Sequence, residues 1–432
     1  MSVSRSFLPR VLIAGAVVFM PAASAAQAGS APTDDPDEGV IRWRNRPSIR
    51  VGAVRIDPRL KLQLDWRDSD LESDDTFDDR MRRVGIEGEV TDHLEFEIER
   101  ELNPLDARPW KDVYINWSTF RELQVRAGRF KMPFGLEQLT GSTATDFAYR
   151  TLAASTIASG RDEGVMVHGR FRWRGLAYSV GVFDDDGDNG RLRELQFTGD
   201  QVALPEIGTA IAARLTARPF RSERGPEALQ GLHVGAAYTR AQVPEGLNSL
   251  RGQSILQTST FFEPVYVNGA RQRVGLEFEL TSGPGSVRSE WIQSREARDG
   301  QSLQNADLSA FVSTGWYLSG TWVVTGETKA GGVIPRQPLF SGGLGAIELA
   351  VRYEQLEFES ASKEGTALRN PRAEHILPNR DAVWTGGVNW WPVRWVRLTA
   401  DVFHERFDDL VRTPRAGTAA FWSGLFRLQI VF

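Results

Sequence analysis

The chain has 432 residues, a formal net charge of −5 and no cysteine. The lack of cysteine excludes a disulfide framework and a thiolate metal site, and the small net charge argues against nucleic-acid binding. No linker rich in Pro, Gly and Ser divides the chain into soluble domains.

The first residues have the layout of a secretory signal. Arginines precede an apolar core at residues 11–19 (VLIAGAVVF), which is too short to span a bilayer as a helix. Cleavage after Ala28 fits the small-x-small rule, and cleavage after Ala25 is an alternative. We predict a signal peptide at residues 1–28 and a flexible N-terminal segment at residues 29–54.

Alternation of apolar and polar residues begins near residue 55. Leu60 and Leu62 alternate with Lys61 and Gln63, so one face of this segment is apolar and the other polar. Since no later apolar run approaches the roughly eighteen residues of a membrane helix, a membrane protein with this profile must be a closed barrel. The sequence predicts an all-β fold, a transmembrane antiparallel β-barrel of about 16 strands at residues 55–432. The alternating segments are residues 60–66, 84–90, 94–99, 113–117, 123–130, 164–172, 175–183, 209–217, 232–239, 272–280, 286–292, 308–325, 345–358, 382–391, 396–407 and 420–432.

The end of the chain is typical of an outer-membrane barrel. Residues 426–432 (FRLQIVF) place Phe426, Leu428 and Phe432 on one face, and this resembles the closing strand of bacterial outer-membrane barrels. Many of the 13 tryptophans cluster near strand ends, where an aromatic girdle meets the membrane interface.

Several motifs resemble one known family. Residues 128–137 (GRFKMPFGLE) resemble the signature of the phosphate-selective porin O/P family. Residues 315–327 resemble its "GWY…TGE" strand, and residues 346–353 resemble the strand that follows. Residues 387–390 and 426–432 also fit, so the matches keep the family order over nearly the whole mature chain.

The resemblance implies a trimeric porin of the bacterial outer membrane, surrounded by lipid and lipopolysaccharide. It implies passive diffusion of small inorganic or organic anions, such as phosphate or polyphosphate, and neither catalysis nor a cofactor. The family's third loop folds inward, which assigns the pore constriction to residues 131–164, with Lys131 as a cation at its base. Further candidates for anion binding there are the cations Arg150 and Arg161 and, by composition only, the hydroxyls of Ser142, Thr143 and Thr145.

Strand parity predicts which charges line the lumen. The basic residues on polar faces are Lys61, Arg83, Arg126, Arg170, Arg214, Arg273, Arg288, Arg352 and Arg397. A similar number of carboxylates shares these faces, among them Glu87, Glu97, Glu99, Glu277, Glu290, Glu348, Glu354 and Asp401. The charges either segregate onto opposite walls or pair with one another, and a neutralised lumen would weaken selectivity for phosphate.

No metal site is expected. The five histidines lack metal-ligand spacing. The run at residues 184–190 (DDDGDNG) resembles a calcium-binding loop but lacks the distal glutamate, so a solvated hairpin loop is the preferred interpretation.

Three other functions stay open at this level. One is a non-selective general porin. Another is a non-conducting surface receptor or adhesin, whose loops at residues 248–268 and 364–379 would capture a ligand. The third is a secreted soluble enzyme rich in β-structure, whose apolar strand faces would pack against a second sheet.

Overall fold

Alternation along the strands produces an inverted burial pattern, with apolar side chains outside and charged side chains inside. In the strand Ala346–Ser360, Glu348 and Glu354 are 0% and 1% exposed, whereas Leu349 and Val351 are 50% and 51% exposed. A soluble β-sandwich buries its apolar faces instead. The pattern is that of a barrel whose outer surface meets lipid.

The computed structural model describes residues 40–43, 47–71, 76–104, 106, 108–171, 175–187, 208–221, 225–362, 365, 367–369 and 373–432. Residues 39–432 form one unit. The signal peptide predicted at residues 1–28 lies outside the described residues. Among the residues described, no helix combines the length and apolar character needed to cross a membrane.

Sixteen antiparallel strands close into a barrel, which confirms the predicted count. Two short strands come first, β1 (Val40–Trp43) and β2 (Pro47–Val51). The next nine strands belong to the barrel: β3 (Val54–Ser69), β4 (Thr76–Val90), β5 (Leu94–Glu101), β6 (Trp110–Trp117), β7 (Gln124–Lys131), β8 (Arg161–Arg170), β9 (Ala177–Phe183), β10 (Ala210–Ala217) and β11 (His233–Leu247). The short strands β12 (Gly252–Gln253) and β13 (Thr260–Phe262) pair only with each other. Seven further barrel strands follow: β14 (Tyr266–Ser282), β15 (Gly285–Arg298), β16 (Leu308–Val323), β17 (Ala346–Ser360), β18 (Asn379–Val393), β19 (Val396–Phe407) and β20 (Ala420–Val431). Strand β20 pairs with β3, with Phe426 opposite Trp66, and this pairing closes the barrel.

Strands β1 and β2 differ from the expectation of a flexible segment at residues 29–54. Strand β2 pairs with β3, with Ile49 opposite Ile56 and Val51 opposite Val54. The short alternation around Ile49 lets residues 47–51 extend the pairing of β3, whereas residues 29–39 and 44–46 of the predicted segment lie outside the described residues.

Two connections fold into the barrel from the end that carries the longer loops. The first inward segment, residues 132–160, contains the helices α1 (Leu136–Leu139) and α2 (Leu152–Thr156). The second inward segment, residues 248–265, contains β12 and β13. Apolar side chains of both segments pack against the inner wall in one cluster that includes Ile157, Phe262 and Phe358. Three 3₁₀ turns, Glu227–Leu229, Leu303–Asn305 and Leu339–Ser341, complete the helical elements that the structure describes.

Candidate functional site

Carboxylates of the barrel wall hold the first inward segment in place. Buried backbone N–H groups need acceptors, and a loop inside a barrel has few of its own. Glu290 accepts a hydrogen bond from the backbone N–H of Leu136 (2.7 Å), Asp401 from that of Ala148 (2.7 Å) and Glu354 from that of Leu152 (2.5 Å). These three carboxylates therefore bind backbone groups of the segment.

Two of the predicted lumen cations hold carbonyls of the same segment. Arg397 donates to the carbonyl of Thr145 at 2.7 Å, and Arg352 donates to the carbonyl of Tyr149 at 3.2 Å. Their exposures are 4% and 1%, so both side chains are covered by the segment that they position.

Lys131 and Arg150 converge on the C-terminal end of α1. The Lys131 ammonium donates to the carbonyls of Gln138 at 2.6 Å and Thr140 at 2.9 Å. Arg150 donates to the carbonyl of Thr140 at 2.7 Å and to that of Glu137. Because these acceptors are neutral carbonyls, the hydrogen bonds do not themselves neutralise either side chain.

Apart from Arg170, the other predicted cations pair with carboxylates or with an aromatic ring. The ion pairs are Lys61 with Glu99, Arg83 with Glu101 (2.9 Å), Arg161 with Asp112 (2.6 Å), Arg214 with Glu277 (2.5 Å), Arg273 with Asp186 (2.5 Å) and Arg288 with Glu279 (2.6 Å). Arg126 stacks on the ring of Tyr114 at 4.2 Å, and Arg170 is exposed at the end of β8. Pairing, one of the two arrangements that the sequence left open, therefore accounts for much of the lumen charge.

A cavity of about 530 Å³ remains between the first inward segment and the wall formed by β3, β4 and β5. Its cationic lining consists of Arg80, Arg83, Lys131, Arg150, Arg161 and Arg427. In the part of the chain that the structure describes, Glu101 and Asp106 are the carboxylates of this lining. Ser142 and Thr145 also reach it, whereas Thr143 is not part of the described lining and uses its carbonyl to accept from Gln429 at 3.0 Å. Cations therefore outnumber carboxylates around this passage.

Strand parity does not reveal Arg80 as a residue of the passage. The register between β3 and β4 shifts between Gln63 and Asp65. Such a bulge re-aims the neighbouring side chains. The Arg80 guanidinium lies 5.1 Å from the ring of Tyr149, on the passage side of the wall. No feature of the alternation marks this bulge, so the sequence carried no signal for it.

The basic groups around the passage change the pKa of Arg150, a residue that lies outside the barrel strands. Burial and the neighbouring cations Arg161 and Arg83 lower the pKa of the Arg150 guanidinium, although Glu137 opposes the shift. An arginine remains protonated at neutral pH despite such a shift.

The acidic run at residues 184–190 differs from the solvated loop that was expected. Asp186 is fully buried and pairs with Arg271 at 3.0 Å and with Arg273 at 2.5 Å. Asp162 accepts hydrogen bonds from the backbone N–H groups of Asp185 and Gly187, each at 3.0 Å. Alternation could not reveal these long-range partners, and residues 188–190 lie outside the described residues. No cluster of potential metal ligands occurs among the described side chains.

The chain is similar to known proteins along most of its length. A family model described as phosphate-selective porin O and P matches residues 56–420. A protein of Caulobacter vibrioides, described as uncharacterized, is 25% identical over 403 residues, which cover 86% of this chain and 72% of that protein. Porin O of Pseudomonas aeruginosa is 22% identical over 366 residues, which cover 78% of this chain and 77% of that protein.

Solved structures share the fold. The outer-membrane expressed OmpT of Vibrio cholerae has a TM-score of 0.53 at 10% identity, covering 89% of this chain and 100% of that one. An anion-selective porin from Comamonas acidovorans has a TM-score of 0.52 at 12% identity, covering 88% of this chain and 100% of that one. The outer membrane channel DcaP of Acinetobacter baumannii has a TM-score of 0.53 at 10% identity, covering 88% of this chain and 98% of that one.

Proposed function

The chain belongs to the phosphate-selective porin O and P family, and from this premise we propose that its cation-lined passage selects anions, with phosphate or polyphosphate among those that pass. The family and the fold are those of an outer-membrane channel rather than an enzyme. The proposal concerns which solutes that channel prefers.

The lining of the passage is the observation that carries this proposal. Six basic side chains face the cavity against two carboxylates in the described lining, and three of the six, Arg83, Arg161 and Arg427, also pair with Glu101, Asp112 and Asp65. A fixed excess of positive charge in a narrow aqueous pore attracts anions and repels cations. Wall carboxylates such as Glu290 and Asp401 reduce the attraction of anions less than their number suggests, since they accept hydrogen bonds from the inward segment.

Side chains in the passage include the kinds of hydrogen-bond donor that bind phosphate oxygens. Guanidinium groups bind phosphate oxygens in a bidentate manner, and hydroxyls donate further hydrogen bonds. Arg80 and Arg83 supply such guanidinium groups, Arg83 in exchange for its ion pair with Glu101, and Ser142 and Thr145 belong to the same lining. We assign these four residues, with Lys131, to the permeant anion.

Arg80 allows the sharpest test of anion preference. The variant Arg80→Glu reverses one charge in the passage and leaves the hydrogen bonds of the inward segment intact. Because the change acts at close range in a confined space, we expect a several-fold fall in the anion-to-cation permeability ratio. Reversal potentials of the refolded channel across a salt gradient measure that ratio.

A matched control makes the same charge change outside the lumen. Arg240 is exposed on the outer face of β11, so Arg240→Glu should leave the ratio unchanged. Phosphate should block chloride current in the unmodified channel and block it less in Arg80→Glu. Equal permeability to anions and cations in the unmodified channel would replace this proposal with a non-selective general porin, and a folded barrel that never conducts would favour a receptor.

We also propose that the channel is a homotrimer. The proposal rests on family membership and on the shared fold, since one solved form of OmpT from Vibrio cholerae is described as a trimer. The outer apolar face contacts lipid, and lipopolysaccharide is proposed as its neighbour in the outer leaflet.

A further inference from the structure

The connection between β16 and β17, residues 324–345, is longer than any other connection at its end of the barrel. At this end, residues 283–284 suffice to join β14 to β15, and residues 394–395 suffice to join β18 to β19. The end with the short turns faces the periplasm in outer-membrane barrels. The connection therefore contains many more residues than a reversal of the chain requires.

The first part of the connection lies on the lumen side of the wall. Lys329 donates to Asp146 of the first inward segment at 2.7 Å and also to Glu348. Val333 is buried in a cluster with Val323, the last residue of β16. These contacts hold the chain inside the barrel as far as residue 333.

The second part of the connection returns along the outside of the wall. We call residues 337–345 the rim loop. The indole N–H of Trp390 donates to the carbonyl of Leu344 at 2.7 Å. Trp390 lies two residues after Val388, which is 42% exposed, so both side chains point outward from β18. The rim loop therefore lies beside the surface of the barrel that meets lipid.

A glycine brings the rim loop close to the end of β18. Gly345 has a φ of +76°, and a Cβ atom at this position would lie 2.2 Å from the carbonyl oxygen of Trp391. Glycine adopts this conformation without steric cost and leaves room for the neighbouring backbone. The close approach fixes the loop against the wall.

Hydrogen bonds within the rim loop pair much of its backbone. The N–H groups of Ser341 and Gly343 donate to the carbonyl of Pro338 at 2.9 and 3.2 Å. The N–H of Gly345 donates to the carbonyl of Gln337 at 3.0 Å. Backbone polar groups without partners are costly to place in lipid. The internal pairing lowers that cost for this loop.

The side chains that the rim loop presents are apolar. Phe340 is 87% exposed and Leu344 is 73% exposed. Trp322 and Val324, at the adjacent end of β16, are also exposed. Apolar and aromatic side chains of this kind are typical of segments that lie in the membrane interface.

Basic side chains flank this apolar surface. Arg336 precedes the rim loop, and Arg394 lies in the neighbouring turn between β18 and β19; both are exposed. Glu327, the carboxylate of the connection, is buried and accepts a hydrogen bond from the backbone N–H of Arg336 at 3.2 Å. Exposed arginines beside apolar residues match the phosphates of phospholipid headgroups.

We propose that the rim loop inserts Phe340 and Leu344 into the periplasmic phospholipid leaflet of the outer membrane. The continuity with the lipid-facing wall, the paired backbone and the flanking arginines favour lipid over a soluble periplasmic protein. Because the first part of the same connection holds Asp146, this lipid contact also anchors a support of the first inward segment.

The lack of cysteine permits a direct test with single fluorescent labels. Phe340→Cys places a label on the rim loop, Val351→Cys places one on the lipid-facing wall, and Ala330→Cys places one on the exposed lumen-side part of the connection. Each purified channel is reconstituted in vesicles of phosphatidylethanolamine and phosphatidylglycerol with a quencher near the top of the acyl chain. We expect quenching at positions 340 and 351 to be several-fold stronger than at position 330.

Iodide on both sides of the vesicles provides the complementary measurement, because it quenches labels that are in water. It should quench the label at position 330 several-fold more than the label at position 340. A label at position 340 that iodide reaches and the lipid quencher does not would overturn the proposal and indicate a surface free for a periplasmic protein. Protection of that label from both quenchers would also overturn it and indicate contact with a second copy of the chain.

Charged substitutions test which side chains hold the loop in the leaflet. With the label at Ser341→Cys, the double variant Phe340→Asp and Leu344→Asp should reduce lipid quenching several-fold, while the barrel keeps its heat-modifiable mobility on a gel. The matched control places the same two charges at Thr328 and Ala330, which are exposed in the first part of the connection, and should leave the quenching unchanged. Unchanged quenching in the first double variant, or an equal loss in the control, contradicts the assignment.

Discussion

Single side chains link the first inward segment to a connection that lies at the opposite end of the barrel. Asp146, in the segment, accepts a hydrogen bond from Lys329 at 2.7 Å and lies 3.6 Å from Arg288. Burial alone would raise the pKa of Asp146, but the cations of Lys329 and Arg288 lower it below its ordinary value. The ionised carboxylate is therefore the form that holds the segment.

The sign of this shift predicts a dependence on acid. A carboxyl whose pKa is lower when folded stabilises the fold above its unfolded pKa of about 3.9, and this contribution is lost as the pH falls through the folded value. The unmodified channel should give steady currents near neutral pH and noisy currents in strong acid. Asp146→Asn should be noisy already at neutral pH and lack this acid step. Recordings of open-channel noise against pH measure both.

An exposed carboxylate provides the control for this prediction. Hydrogen bonds from the backbone of Val411 and from Arg412 lower the pKa of Asp409, but this residue lies in the connection between β19 and β20, away from the passage. Asp409→Asn should therefore match the unmodified channel at each pH. If Asp146→Asn also matches it, the ion pair with Lys329 does not hold the segment.

At the scale of elements, the second inward segment occupies space that would otherwise be pore. Glu405 of the wall accepts from the backbone N–H of Ile255 at 2.9 Å. The ring of Phe262 stacks on Phe358 with centroids 4.4 Å apart. The loop at residues 248–268 was considered as a ligand-capturing surface loop in the receptor hypothesis, but these contacts hold its residues 248–265 inside the barrel.

Removal of this segment should widen the channel. The backbone of Asn248 donates to the carbonyl of Val265 at 2.8 Å, so a short Gly-Ser turn can replace residues 249–264. Because Gln257 at the tip of the segment lines the passage, we expect a higher single-channel conductance. The same replacement of residues 410–418, which include the exposed Val411, should leave the conductance unchanged. Equal conductance of both variants and the unmodified channel would contradict a role of the second segment in narrowing the pore.

At the scale of the whole molecule, closure of the barrel depends on the pairing of the first and last barrel strands. Backbone hydrogen bonds join Leu60 and Phe432 in both directions, at 2.8 and 3.1 Å. A buried bidentate ion pair joins Arg427 to Asp65 across the same seam, at 2.6 and 2.7 Å. The seam thus combines main-chain pairing with a desolvated charge pair.

Loss of that carboxylate should destabilise the barrel. Asp65→Asn leaves the Arg427 guanidinium buried without its counter-ion, which costs about 3–5 kcal/mol. Asp408→Asn is the control. The side chains of Asp408 and Arg380, which form an ion pair, are 51% and 39% exposed, and such exposed pairs contribute about 0–1 kcal/mol to stability. The temperature at which the folded gel band converts to the unfolded band compares the variants. Equal temperatures for Asp65→Asn and the control would show that the ion pair does not stabilise the seam.

Much of the fold could be predicted because its signals are local. Alternation with a period of two is legible in any single strand, and it indicated each of the sixteen barrel strands without knowledge of its neighbours. The interruption after Lys131 was equally visible, and the structure places it inside the barrel. The candidate site was predicted only in part: Lys131, Arg150 and Arg161 line the passage, whereas Arg352 and Arg397 hold the inward segment, and Arg80 was missed.

By itself, the sequence determined a barrel wall with an apolar outer face and a charged inner face, since the direction of each side chain follows from its position in a strand. Only the tertiary structure decided which of the inner charges remain directed at the passage. Ion pairs such as Arg427 with Asp65 join residues from opposite ends of the chain. Charge neutralisation depends on distances between strands and on where the inward segments lie, and no local pattern encodes these distances.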